Sequence, residues 1–206
     1  MVAWDRFVRK NVIMKLNNKY YILRHGEALS NVREIVSSWP EKFKNPLTKN
    51  GREMIKKVAL KLKDKNIDLI FTSPLLRTKQ TAEIVGKVLK IKPKTDKRLR
   101  EIDFGIFNSG PMEKMWKSFK NEEERIKTGP PRGESYSQIL ERMMDFIKDT
   151  DKKFKENNIL IISHEGPLVF LQGKVMGLTI KETIKEFSPE KRIHKGEIRI
   201  LVAPPL

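Results

Sequence analysis

The sequence predicts an α/β protein. The expected architecture is a three-layer sandwich in which a mostly parallel sheet carries helices on both faces, with a short lid-like insertion. Three observations point there. Short β-branched or aromatic runs alternate with amphipathic helical patterns along the 206 residues. The runs are continuously apolar, as strands buried by helices on both sides are. Three segments also place polar residues at or just beyond the ends of these runs, where loops lead into helices.

Four strands are expected: "KYYIL" (19–23), "IDLIFTS" (67–73), "NILIIS" (158–163) and "EIRILVA" (197–203). The helical stretch "LTKNGREMIKKVALKLKDK" places Met54, Ile55, Val58, Ala59 and Leu62 in an apolar pattern, with Thr48 positioned as its cap. "SPLLRTKQTAEIVGKVL" predicts a helix with Ser73 as N-cap and Pro74 at the first helical position. "ESYSQILERMMDFIKDTDKKF" gathers Ile139, Leu140, Met143, Phe146 and Ile147 on one face. "GPLVFLQGKVMG" opens with an early proline and stops at Gly177.

Two segments stand outside the alternation. Residues 104–133 are rich in Gly, Pro and charge, with a short amphipathic piece around Met115, Trp116 and Phe119, and read as a lid-like excursion. Residues 1–15 carry Trp4, Phe7, Val8, Val12 and Ile13 and form an N-terminal extension, expected as a short docking helix. Residues 16–206 are expected to form a single domain.

Composition narrows the chemistry. No cysteine is present, which excludes disulfides, thiolate metal sites and a thiol nucleophile. No run spans a bilayer and no signal pattern appears, so a cytoplasmic protein is expected. The formal net charge is +17, yet 26 acidic residues are interspersed with 43 basic ones. That mixture is the pattern of a solvated lysine-rich surface, although anionic substrates, nucleic acid or an acidic membrane would also suit it.

The strand ends carry the functional signal. The first run ends in Arg24-His25-Gly26, and the run ending at Ser73 leads into a helix whose first turn holds Arg77. The third ends in Ser163-His164-Glu165-Gly166-Pro167. Two of the three histidines thus sit at strand ends, beside glycines that permit tight turns. Two histidines and two arginines brought together there would form an anion pocket, with phosphate the obvious anion. Taken singly, each residue has a plainer role: a hydrogen-bonded strand-end histidine, a surface arginine, or Asn31 capping a helix with Glu34 completing the pattern. His194 lies in a polar segment and reads as unremarkable. No metal-ligand spacing such as HExxH appears.

"LRHGEALSN" resembles the signature of the histidine phosphatase superfamily, the phosphoglycerate mutase-like proteins. "PLTKNG" (46–51), "TSPLLRTKQTA" (72–82), "LREIDFG" (99–105), "PRGESYSQILER" (131–142) and "SHEGP" (163–167) follow in that family's order. The resemblance covers about residues 19–170. It implies that His25 is the nucleophile that takes the phosphoryl group. Arg24, Arg77 and His164 would hold the phosphoryl oxygens, Asn31 would add a neutral donor, and Glu101 would serve as proton donor. It implies no metal and no cofactor.

Some positions depart from the family pattern. Glycine often follows the second histidine, where this chain has Glu165; a carboxylate there is expected to point away or to meet a substrate amine or hydroxyl. Where family phosphatases often read Gly-x-Trp-Glu-Gly, "GIFNSG" sets Phe107 and Asn108. Mutases of the family have a longer insertion and tail and typically read Glu-Arg-His-Tyr-Gly at the proton donor, and this chain has "EIDFGIF". The resemblance therefore favours a phosphatase of small phosphorylated metabolites over a cofactor-dependent phosphoglycerate mutase. A non-catalytic nucleic-acid-binding protein is the remaining alternative; the sequence lacks the interleaved aromatic and basic residues that stack bases. The expected partner is a small phosphate ester, with no nucleic acid and no membrane. The oligomeric state stays open, a homodimer included.

Overall fold

The computed structural model describes residues 14–201. The strands are β1 (Lys19–Arg24), β2 (Leu69–Thr72), β3 (Lys94–Thr95), β4 (Asn158–Ser163) and β5 (Ile198–Leu201). The helices are α1 (Leu29–Val32), α2 (Lys49–Lys61), α3 (Leu76–Leu89), α4 (Met112–Lys117), α5 (Glu122–Lys127), α6 (Tyr136–Lys153), α7 (Glu165–Val175) and α8 (Ile180–Glu186). The docking helix expected over 1–15 falls almost wholly outside the described residues, as do the last two residues of the expected fourth strand.

The five strands form one sheet in the order β3-β2-β4-β1-β5. β1 pairs in parallel with β4, as do β2 with β4 and β2 with β3, whereas β5 runs antiparallel along β1. The sheet is therefore mostly parallel with one antiparallel edge. The two-residue strand β3 was not expected; so short a segment has no periodicity to read.

The strand alternation separates the two faces. Tyr20 and Ile22 stand beside Ile159 and Ile161 in a core with Ile139, Met143, Phe146 and Ile147 of α6 and Leu168 and Leu171 of α7. Tyr21 and Leu23 stand beside Leu160 and Ile162 in the opposite core with Ile55, Val58 and Ala59 of α2 and Ala82 and Val85 of α3. Helices thus cover both faces, and the apolar runs are continuous because each face has its own core. Among the described residues no helix is long and apolar enough to cross a membrane.

Local signals fare unevenly. Thr48 caps α2 by accepting from the Gly51 N–H at 2.9 Å. Ser135 caps α6 reciprocally with Gln138. Gly177, with φ of 78°, ends the α7 segment as expected. α3, however, starts at Leu76 with Leu75 as its cap, so Ser73 and Pro74 precede the helix. The Ser73 hydroxyl is drawn instead into a contact with His164 at 2.8 Å.

Candidate active site

The register of β1 and β4 sets Arg24 opposite Ser163, so the next residues, His25 and His164, emerge side by side. Their ring centroids lie 5.1 Å apart with the planes inclined by 63°. Gly26 follows because α2 crosses there: a Cβ on it would lie 2.7 Å from both the Gly51 carbonyl oxygen and an Ile55 side-chain carbon.

The hydrogen bonds assign the tautomers of both rings. Nδ1 of His25 lies 2.7 Å from the Gly26 carbonyl oxygen, which only accepts, so Nδ1 carries the proton and Nε2 keeps its lone pair. Arg77 Nε donates to that Nε2 at 3.1 Å. Arg77 Nη2 donates to His164 Nδ1 at 3.0 Å, so His164 donates from Nε2 to the Ser73 hydroxyl. Both rings are buried, and their pKa values fall well below 6.5. Burial is the main cause for each, followed by the charge of Arg77. Both imidazoles are neutral at neutral pH.

Arg77 is held at the centre. Its Nη2 donates to the Ser37 carbonyl at 3.0 Å, and its Nη1 lies 3.5 Å from Glu41 Oε1. Burial lowers its pKa to about 10, which leaves it charged, and Glu101 and Glu41 oppose that shift. Arg24 donates from Nη1 to Glu165 and, at 3.0 Å, to the Ile193 carbonyl. Its Nε is buried without a hydrogen-bond partner among the described residues.

Glu101 stands across from these cations, with Oε2 3.7 Å from His164 Nδ1 and 4.0 Å from Arg77 Nη2. Burial raises its pKa, while Arg77 pulls the other way. Arg142 secures the segment by donating to the Glu101 carbonyl at 3.2 Å, and Glu134 clamps Arg142 at 3.0 Å. Asn31 is the third residue of α1, whose cap is Ala28; its Oδ1 accepts from the Ala28 N–H at 2.9 Å. Glu34, with φ of 53°, lies beyond the helix and completes no capping pattern.

Arg24, His25, Asn31, Arg77 and Glu101 all line one cavity of about 330 Å³. His164 lies behind it, in contact with Arg77. The excursion supplies its outer wall and is stitched to the segment that holds Arg77. The Val36 N–H donates to the Gly110 carbonyl and the Ser109 N–H to the Val36 carbonyl, each at 3.0 Å. Asn108 is not aimed at substrate: it accepts from the Ser38 N–H at 3.0 Å and donates to the Pro40 carbonyl at 3.1 Å. Glu165 does not point away: it lines the same cavity, where its carboxylate pairs with Arg24 and Arg192. His194 is exposed and lies outside the cavity. A more open groove of about 620 Å³, beside Trp39 and Lys42, contains neither His25 nor His164.

Sequence reasoning passed over Ser37, Glu41, Arg125, Tyr136 and Arg192. Ser37 and Glu41 share the connection between α1 and α2, the other three come from separate segments, and only the fold brings them together.

A neutral histidine and two arginines lining a cavity, with a second histidine against one of those arginines, suit the binding of a phosphoryl group. Residues 20–190 match the model of the histidine phosphatase superfamily (branch 1), and the chain belongs to that family as an enzyme of the histidine-phosphatase type. It is 30% identical over 165 residues to the protein named probable phosphoglycerate mutase GpmB of Serratia proteamaculans, covering 77% of this chain and 74% of that one. Among solved structures it resembles the alpha-ribazole phosphatase of Shigella flexneri, with a TM-score of 0.74 and 25% identity over 88% of this chain and 89% of the other. It shares a fold with a mycobacterial glucosyl-3-phosphoglycerate phosphatase, with a TM-score of 0.77 and 19% identity over 88% and 91% of the two chains.

Proposed function

We propose that this chain is a phosphomonoesterase that hydrolyses small phosphorylated metabolites through a phosphohistidine formed on His25. One observation carries the reading: the Gly26 carbonyl holds the Nδ1 proton, leaving a buried neutral Nε2 whose lone pair faces Arg77. In the free site Arg77 occupies that lone pair; an arriving phosphoryl group takes over the Arg77 donors and exposes Nε2 to phosphorus.

The first step forms the Nε2–P bond and breaks the ester P–O bond, and Glu101 delivers its proton to the departing alkoxide. Arg24, Arg77 and Asn31 hold the phosphoryl oxygens as charge moves onto them, and His164, hydrogen-bonded to Arg77 and Ser73, positions the Arg77 guanidinium from behind. In the second step Glu101 takes a proton from water as that water attacks phosphorus, the N–P bond breaks, and phosphate leaves. The raised pKa of Glu101 supports its part as the acid, and the lowered pKa of His25 supports its part as the nucleophile. The arginines supply the positive charge that the transferring group needs.

The relatives named phosphoglycerate mutase favour a second reading, in which the phosphohistidine returns its phosphoryl group to a glycerate. A single assay separates the two: phosphate release and phosphoglycerate isomerisation, measured together on a panel of monoesters with His25→Ala as control. His25-dependent release bears out the hydrolase. Isomerisation without release makes the chain a mutase, and activity that survives His25→Ala overturns both readings.

A further inference from the structure

The cavity wall is mixed in chemistry. Charged groups gather around His25, and Met112, Met115, Trp116, Tyr136, Phe170 and Phe187 supply a large apolar share of the wall. Met115, Phe170 and Phe187 are buried, and Tyr136 packs against Phe170 with ring centroids 4.6 Å apart. Met112 and Trp116 remain 44% and 39% exposed. Large apolar side chains left uncovered at the wall of a cavity mark a surface that a ligand covers.

Arg125 adds a polar group to this wall. Its guanidinium lies 5.7 Å from the centre of the Trp116 ring, and its Nε is buried without a hydrogen-bond partner among the described residues. A buried donor left unpaired is costly, and the guanidinium that carries it lines the cavity, where its charge would draw an acceptor on a ligand.

Building on the phosphatase reading, we infer that the substrate is the phosphate monoester of an alcohol bearing a bulky, ring-containing apolar body with an acceptor oxygen on its far side. The phosphoryl group sits at His25, the ring lies against Trp116 and Tyr136, and the far oxygen meets Arg125. A small polyanion such as a phosphoglycerate leaves the apolar wall facing water and gains nothing from it.

The test uses three primary alkyl esters, so that the leaving group stays constant: ethyl phosphate, 2-phenylethyl phosphate, and the latter with a para-carboxylate. The expected kcat/KM rises roughly ten- to a hundredfold from ethyl to phenylethyl, the scale of burying one aromatic ring. The carboxylate should add about tenfold more, the scale of one charge-assisted hydrogen bond. Trp116→Ala should collapse the first ratio and Arg125→Met the second, and because both are ratios within one enzyme, a general loss of folded protein cancels. His25-dependent hydrolysis that favours ethyl phosphate or 3-phosphoglycerate, or ratios unmoved by both variants, overturns this inference while leaving the phosphatase in place. Absence of His25-dependent release from every ester overturns the phosphatase reading on which it rests.

Discussion

Glu165 takes one end of the Arg24 guanidinium. Its carboxylate and the Ile193 carbonyl both accept from Nη1, while Nε stays buried and has no hydrogen-bond partner among the described residues. Nη1 lies on the Cδ side of the guanidinium, so the edge left over is Nε with Nη2, which presents two nearly parallel N–H bonds. In the proposed mechanism a phosphoryl group accepts from the Nη2 end of that edge. The carboxylate after the second histidine is compatible with an anion site because Arg24 and Arg192 both pair with it at the cavity wall.

Glu165→Ala should then raise KM for phosphate esters, and the inhibition constant of inorganic phosphate, by about tenfold, the scale of one charge-assisted hydrogen bond. Glu165→Gln retains an acceptor and should recover part of the loss. Steady-state kinetics with phosphate as inhibitor read both effects. Tighter phosphate binding by the alanine variant would show that Glu165 competes with the substrate instead.

Glu101→Gln should damage hydrolysis of alkyl phosphates at least a hundredfold, within the usual range for general acid catalysis. p-Nitrophenyl phosphate, whose phenolate departs without a proton, should lose far less. Parallel kcat measurements on the two substrates decide the matter, since equal losses would remove Glu101 from the role of acid.

The pH profile carries a sign. His25 must be neutral, and its pKa lies well below 6.5, so the acid limb it sets falls below that value. Glu101 must be protonated in the first step, and its pKa is raised above 4.5, so activity should decline as pH rises through it. Ionisation of the ester itself, near pH 6, is common to all variants. The alkaline decline should flatten in Glu101→Gln when kcat is followed from pH 4 to 9, whereas an unchanged limb would place its origin in another group.

The same histidines link pH to stability. Both have folded pKa values below the unfolded 6.5, so the unfolded chain binds more protons below that pH and stability falls as pH drops through it. Thermal melts from pH 7.5 to 5 should show a steeper fall for wild type than for His25→Ala. Parallel slopes would mean that His25 does not stay neutral in the folded state.

Arg24 and Arg77 supply fixed positive charge, so phosphate and vanadate should inhibit competitively and a chelator should leave turnover intact. Rates measured before and after dialysis against chelator check this; activity lost and then restored by one divalent ion would reassign the electrostatics to a metal.

The alternation of apolar runs and helical patterns made the layered fold readable, because a strand with a core on each face has to be apolar along its length. Arg24, His25 and His164 were readable because they directly follow such runs. Their arrangement was not. Ser73 has the composition of a helix cap, and capping rules weigh only neighbours in the chain; the contact that claims its hydroxyl comes from His164, just beyond the end of β4. Arg125, Tyr136 and Arg192 look like ordinary helix and loop residues until α5, α6 and the segment before β5 meet at the cavity. For Glu165, charge repulsion alone predicts a side chain that points away or meets a substrate amine or hydroxyl; its partners Arg24 and Arg192 are distant in sequence and leave no local signal.

The pairing of β1 with β4 has a consequence for how this site fails. Neighbouring strands are spaced at roughly 4.8 Å, and the two imidazoles stand 5.1 Å apart, so the backbone ladder itself is the ruler that spaces them. A ruler ruled in whole residues has no fractional settings: sliding β1 by one position against β4 would turn His25 to the opposite face. Such a centre is digital, and under denaturant its activity should vanish together with the sheet instead of fading ahead of it.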